Sequence, residues 1–412
     1  MLVCHNTPFS NTDLDNNKLP YYKANRLLWK WARCEGVDGC EVVHEAELSM
    51  NKAPPPAPKR AEPAPRPVKR LTHEDRVNNT LDGLLAAAEA LARFKHWLHA
   101  PEVPRRSSPA PTAKREQHPT IAPLDIQEIP GAMRRLLMPV SAMLMERWFA
   151  GALNYSPTDK DEALCINQDG QPYPDDMYDM RSIKLEWILG YARAKVQYMA
   201  LQQRERLTTP RAVESLSKCL SRVRASDTTI DALALCNGNL AELHKRFQFQ
   251  FVGVESTFGQ KLDEFILKRL TNGGLPDDLT GALGSFNIYA AVAYAEFNRG
   301  ASHATVNSIY LYVRDNYTFS DRSGDQSQYL GHWNHKRVVL VPATAAAGIA
   351  GIRWLDYPVV VDGKRSRDNI YYPIRNKSFR EWQQRHRRGG DFIIFSDYRC
   401  VTLPQPIEIE FS

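Results

Sequence analysis

Residues 313 to 335, VRDNYTFSDRSGDQSQYLGHWNH, gather Asp315, Asp321, Asp325, His332 and His335 with Tyr317, Tyr329 and Trp333. Carboxylates, a phenol and imidazoles at that density suit metal-assisted phosphodiester chemistry. Asp315 would hold a divalent cation such as Mg or act as a base, Tyr317 would orient a phosphate, and His332 or His335 would protonate a leaving group. The same composition also suits a polar turn, because Asp, Ser, Gly and Asn bond their own backbone and Tyr and Trp close the rim of a sheet.

A second constellation is KSFREWQQRHRRGGDF at 377 to 392. Arg385, His386 and Arg387, with Arg380 and Arg388 beside them, could surround a substrate phosphate, and Gly389 with Gly390 would let backbone approach it. An exposed helix end accounts for the same residues, since cations favour helix C-termini and glycine ends helices. The two stretches make one site only if the fold brings them together. DDMYDM at 175 to 180 reads as a helix start rich in acids, and HEAEL at 44 to 48 lacks the second His of a zinc helix.

Strands must position the first stretch. FNIYAAVAYAEF at 286 to 297 and TVNSIYLYVRD at 305 to 315 alternate apolar and polar residues and predict a hairpin through the turn-prone NRGASHA. KRVVLVPA, YPVVVDG, NIYYPI, DFIIFSDYRCVTL and IEIEFS continue the pattern, so residues 285–412 read as an antiparallel β-rich domain. Residues 125–284 read as a helical domain. IPGAMRRLLMPVSAMLMERWFAGAL predicts two helices broken at Pro139, DMRSIKLEWILGYARAKVQYMALQQRERL carries an apolar stripe at helical spacing, and further helices are expected over 211–223, 238–250 and 256–271. The fold class is therefore α+β.

In front stand an N-terminal segment, residues 1–50, and Pro-rich linkers over 51–124 that flank one amphipathic helix, 72–99. Many of the 27 prolines fall here, giving an arm expected to be disordered or polyproline-like. Thr72 and Asp75 cap the helix, whose stripe of Val77, Leu81, Leu84, Leu85, Ala88, Leu91 and Leu98 is expected to dock on the chain's own body or on a partner.

The net charge of +6, concentrated in the arm and in residues 364 to 388, is too weak to name a nucleic acid as partner. Seven scattered cysteines show no secreted disulfide framework, and Cys4, His5, Cys34, Cys40 and His44 lack a Cys-x-x-Cys pair, so free thiols in a reducing cytoplasm are expected and no metal site is assigned. The first residues carry no Sec-type signal, which predicts a cytoplasmic chain at synthesis. The uncharged run 338 to 352 falls short of the roughly 20 residues a membrane span needs and reads as a buried strand followed by a turn or short helix.

Three blocks, IPGAMRRLLMPVSAMLMERWFAG, LGSFNIYAAVAYAEF and YVRDNYTFSDRSGDQSQYLGHWNH, resemble an uncharacterised family of proteobacterial proteins often encoded near type VI secretion genes. That resemblance covers roughly residues 125 to 340 and implies delivery to a target cell by a contractile needle, with a secretion-system component or chaperone and an immunity protein as partners. A weaker similarity is to colicin M-like toxins, which cleave a lipid-linked peptidoglycan precursor at an Asp-x-Tyr-Asp run followed by His-Arg. Asp315 and Tyr317 match its first and third positions, Thr318 replaces the second Asp, and His386–Arg387 form the pair at much longer spacing. The resemblances imply an antibacterial effector that hydrolyses a phosphodiester of an anionic lipid-linked substrate. The alternatives are a non-enzymatic adaptor or cargo-loading protein, and a membrane-disrupting toxin.

Overall fold

The computed structural model describes residues 21–25, 30–34, 48–57, 122–255, 277–321, 327–339, 358–361 and 366–411. The Pro-rich arm from residue 58 with its 72–99 helix, the 256–271 helix, the 340–352 run, Asp325, and Cys4, His5, Cys40 and His44 lie outside the described residues.

At the front, β1 (Tyr21–Asn25) and β2 (Lys30–Cys34) form an antiparallel pair, and β3 (Leu48–Ser49) runs parallel to β4 (Leu124–Asp125). The chain then becomes mainly helical: α1 (Ile129–Arg135), α2 (Pro139–Ala150), α3 (Asp159–Leu164), α4 (Leu185–Leu189), α5 (Ala192–Leu201), α6 (Arg204–Leu207), α7 (Pro210–Ser221) and α8 (Leu240–Phe247). Three strands punctuate this stretch, β5 (Tyr178–Asp179), β6 (Thr229–Asp231) and β7 (Gln248–Val254). After α9 (Asp278–Leu283) come β8 (Phe286–Phe297), β9 (His303–Tyr317), β10 (Tyr329–Trp333), β11 (Val338–Val339), β12 (Val359–Val361) and β13 (Ile370–Arg375). Helix α10 (Asn376–His386) precedes β14 (Phe392–Phe395) and β15 (Arg399–Glu410).

Local chemistry sets the helix starts. Pro139 and Pro210 occupy first turns, where the missing N–H is not needed, and Thr209 and Asn239 accept from the first N–H groups of α7 and α8. Helix α2 is capped from across the fold: the N–H groups of Val140 and Ser141 donate to the Asp278 carboxylate at 3.0 and 2.8 Å. A carboxylate there also complements the positive end of the helix macrodipole.

The alternating residues form the predicted hairpin, with Ala290 of β8 opposite Leu311 of β9. Ile288, Ala290 and Val292 are buried with Ile309, Leu311 and Val313. Strands β14 and β15 pair with different parts of β9, β6 and β7 pair with β8, and β5 lies parallel to β14, making seven strands. A six-stranded sheet runs in the order β11-β10-β13-β12-β1-β2. The fold is α+β, a helical middle region followed by a β-rich C-terminal region. One hydrophobic core joins them, with Trp148 and Phe149 of α2 packed on Phe379 and Trp382 of α10.

The helix expected over 238–250 stops at Phe247, and Gln248 opens β7. Its sequence QFQFVGV alternates, and β8 supplies the backbone partners that a last helical turn would lack. Among the described residues no helix is long and apolar enough to cross a membrane.

Candidate functional site

Asp315 and Tyr317 lie near the end of β9, opposite Ile394 and Phe392 of β14. Tyr317 is buried, its ring stacked on Phe392 at 5.0 Å, and burial pushes its phenol far above the ordinary range. Asp315 keeps part of its surface open. Burial is nevertheless the largest influence on its carboxyl and raises its pKa well above the usual value, against a backbone hydrogen bond from Asn316 and the Arg314 charge.

His332 and His335 belong to the other sheet. His332 is fully buried on β10 with Nδ1 2.5 Å from the Tyr329 hydroxyl. His335, just past that strand, places Nε2 3.0 Å from Asp368 Oδ1, and burial with the nearby Arg367 charge lowers its pKa.

The basic stretch is the end of α10. Arg385 Nη1 donates to Asn51 Oδ1 at 2.9 Å, His386 Nε2 donates to the Met50 carbonyl at 2.7 Å, and Arg387 is exposed in a left-handed conformation (φ 52°) that closes the helix. The Gly389–Gly390 pair does admit a close backbone approach, and the approaching chain is the end of α2. Gly390 N–H donates to Trp148 O at 3.0 Å, Gly389 N–H to Gly151 O at 3.1 Å, and a Cβ on Gly390 would lie 2.6 Å from Ala152 O. The fold thus sets Asp315 beside Tyr317 on one sheet, the two histidines on the other, and Arg385 and His386 against residues 50–51.

The structure also unites residues that the sequence scatters. Asp391 directly precedes β14 and Thr318 directly follows β9, so the pairing of those strands brings them side by side. Arg380 reaches them from α10 and Trp148 from α2. The Asp391 carboxylate accepts from Arg380 at 2.7 and 3.1 Å, from Trp148 Nε1 at 2.9 Å and from Thr318 Oγ1 at 2.8 Å. Asn154 fixes its main chain, donating from Nδ2 to the Asp391 carbonyl at 2.6 Å and accepting the Asp391 N–H at 2.8 Å. Burial raises the Asp391 pKa, and the Arg380 charge and the three donors offset that only in part.

Beside this node runs a row of polar groups. Ser320 Oγ donates to Glu162 Oε2 at 2.7 Å, Asn316 Nδ2 donates to Glu162 Oε1 at 3.1 Å, and the Thr318 and Ser320 hydroxyls are 3.3 Å apart. Two hydroxyls therefore link the carboxyls of Asp391 and Glu162. The Arg380 guanidinium lies 5.7 Å from the Tyr155 ring centre, and its side chain is 19% exposed against 2% for Asp391. Each hydroxyl gives its one proton to a carboxylate, so such a row can hold a polar ligand, whereas Asp391 itself is saturated and acts as a tie between α2, α10 and the two strands. Among the described residues no group of three His, Cys, Asp or Glu side chains is placed to hold a metal ion.

A family model described as a family of unknown function, DUF6402, matches residues 124–411. The chain belongs to that family. No curated protein and no solved structure matches it. Every member of the polar node falls inside the DUF6402 segment, and so do Asp315, Tyr317, His332, His335, Arg385, His386 and Arg387. Residues 48–57, which touch the end of α10, fall outside it.

Proposed function

We propose that this DUF6402 chain is a non-enzymatic adaptor or cargo-loading protein that engages a secretion-system component or chaperone, the setting implied by the type VI resemblance. One observation carries the reading: exposed apolar side chains sit on two elements that pack together. Val196 and Met199 of α5 are 63% and 55% exposed, and Phe251 of β7 is 55% exposed. Among the described residues β7 pairs with β8 alone. Large apolar groups beside a strand edge suit protein contact. The framework bonds of His332, His335, Arg385 and His386 support the same reading.

The test is expression in the cytoplasm and in the periplasm of a sensitive bacterium, with co-purification of type VI components from the native host. The protein is expected to be harmless in both compartments, and Val196→Asp with Phe251→Asp should abolish co-purification without moving the melting temperature. Periplasmic lysis relieved by Asp315→Ala would overturn the reading in favour of the hydrolase.

A second reading, an effector that hydrolyses a phosphodiester, draws support from the acid, hydroxyl and guanidinium row of Glu162, Ser320, Thr318 and Arg380. It requires periplasmic toxicity that Glu162→Gln removes while the fold persists.

A further inference from the structure

Residues 48–57, LSMNKAPPPA, are held on the DUF6402 segment by contacts that read backbone. After the short β3–β4 pairing, His386 Nε2 donates to Met50 O at 2.7 Å, and Gln127 Nε2 donates to Lys52 O at 2.7 Å and Ala53 O at 3.3 Å. Arg388 Nη2 donates to Pro55 O at 3.2 Å. In the other direction Lys52 N–H donates to Asp125 Oδ2 at 3.0 Å. Arg385 reads one side chain, Asn51, and Leu48 and Met50 pack on the core. Prolines 54 and 55 are half-buried.

These partners match the chemistry of an extended proline-containing peptide. Such a peptide forms no internal hydrogen bonds, offers a carbonyl at every residue and few N–H groups, and loses little entropy on docking. The groove meets it with three side-chain donors for carbonyls and one acceptor placed at a residue that keeps its N–H. All four groups lie in the family segment, whereas the peptide lies outside it.

We propose that the groove formed by Asp125, Gln127, His386 and Arg388 is a recognition site for an extended proline-containing segment of a partner protein, and that residues 48–57 are its resident ligand in cis. The partner's segment carries an apolar residue and Asn ahead of its prolines, as Met50 and Asn51 stand ahead of Pro54 and Pro55. The inference names the partner chemistry of the adaptor reading and rests on it, but the groove uses none of Val196, Met199 or Phe251, so either can fail alone.

The probe is a fluorescent peptide of sequence LSMNKAPPPA, and the receptor is the full chain. Wild type should bind it weakly, because its own segment competes. Lys52→Pro removes the N–H given to Asp125 and should raise peptide affinity about tenfold, the worth of one charge-assisted hydrogen bond. Replacing residues 50–56 by a Gly/Ser stretch should raise it further, and adding Gln127→Ala and Arg388→Ala to either variant should abolish binding. If both opened variants keep the wild-type unfolding transition and bind no better than wild type, the proposal fails. Concentration-dependent dimerisation that Arg388→Ala removes would assign the groove to a second copy and overturn the partner.

Discussion

Strand β9 passes two buried polar sites that meet the cost of burial in opposite ways. Around Tyr312 the fold keeps a titratable group neutral. His244 Nδ1 lies 2.9 Å from the Tyr312 hydroxyl, its ring meets Tyr289 edge-on at 4.7 Å, and burial with the Arg314 charge lowers its pKa to about 3. Just beyond the strand's end the fold gives a buried carboxyl a cation, joining Asp391 to Arg380 through two hydrogen bonds. The first site lies where one helix meets a sheet face, and ring packing with one hydrogen bond between neutral groups suffices. The second lies where α2, α10 and two strand ends converge, and directional bonds fix their relative placement.

Breaking the charged site should cost most. Asp391→Ala leaves the Arg380 guanidinium without its carboxylate and strips partners from Trp148 and Thr318, and urea unfolding should show a loss of about 3–5 kcal/mol. Gly390→Ala attacks the same junction sterically, since its Cβ would lie 2.6 Å from Ala152 O and 2.9 Å from Met177 Cε. It should cost about 1–3 kcal/mol, read as a lower melting temperature.

The neutral site should declare itself through pH. Above about 6.5, the unfolded value, His244 is uncharged in both states and its site is fully stable. As pH falls from there toward about 3, the unfolded chain takes up a proton that the folded chain refuses. Stability from this group is therefore lost on acidification, by at most about 1.4 kcal/mol per pH unit, and His244→Phe should flatten that slope in unfolding titrations at several pH values.

The smallest effect is expected at Asp315. Its folded pKa is raised above the unfolded value, so ionisation opposes folding and its contribution falls as pH rises through that interval. At about pH 4, the unfolded value, Asp315→Asn should stay within about 1 kcal/mol of wild type, and it should gain relative stability by at most about 1.4 kcal/mol per pH unit as pH rises from there.

Much of this architecture was legible in residue order. The alternation in FNIYAAVAYAEF and TVNSIYLYVRD marks β8 and β9 because each strand buries one face, and Pro139 marks the start of α2 because it cannot lie deeper in a helix. Helix α10 is closed by Arg387 rather than by a glycine, and Gly389 and Gly390 instead meet the end of α2. Strands β5 and β6 were not legible, being two and three residues long with no room for a period. The Asp391 node was hidden because its partners come from Trp148, Asn154, Thr318 and Arg380, and only β9–β14 pairing and helix packing unite them. The one local signal was an acid set between Gly390 and the wholly buried strand FIIF, where an unpartnered carboxylate would be costly. In the dense polar stretch at 313–335 residue types show capacity for chemistry but not the sheet to which each belongs: Asp315 and Tyr317 fall on β9 and His332 on β10.

The tie between α10 and the strand ends is tested most directly by a double-mutant cycle of Arg380→Met, Asp391→Leu and the two combined, read by urea unfolding. The paired arrangement predicts that the combined variant is more stable than the sum of the single losses allows, by about 2 kcal/mol or more. Losses that add to within about 0.5 kcal/mol would contradict it.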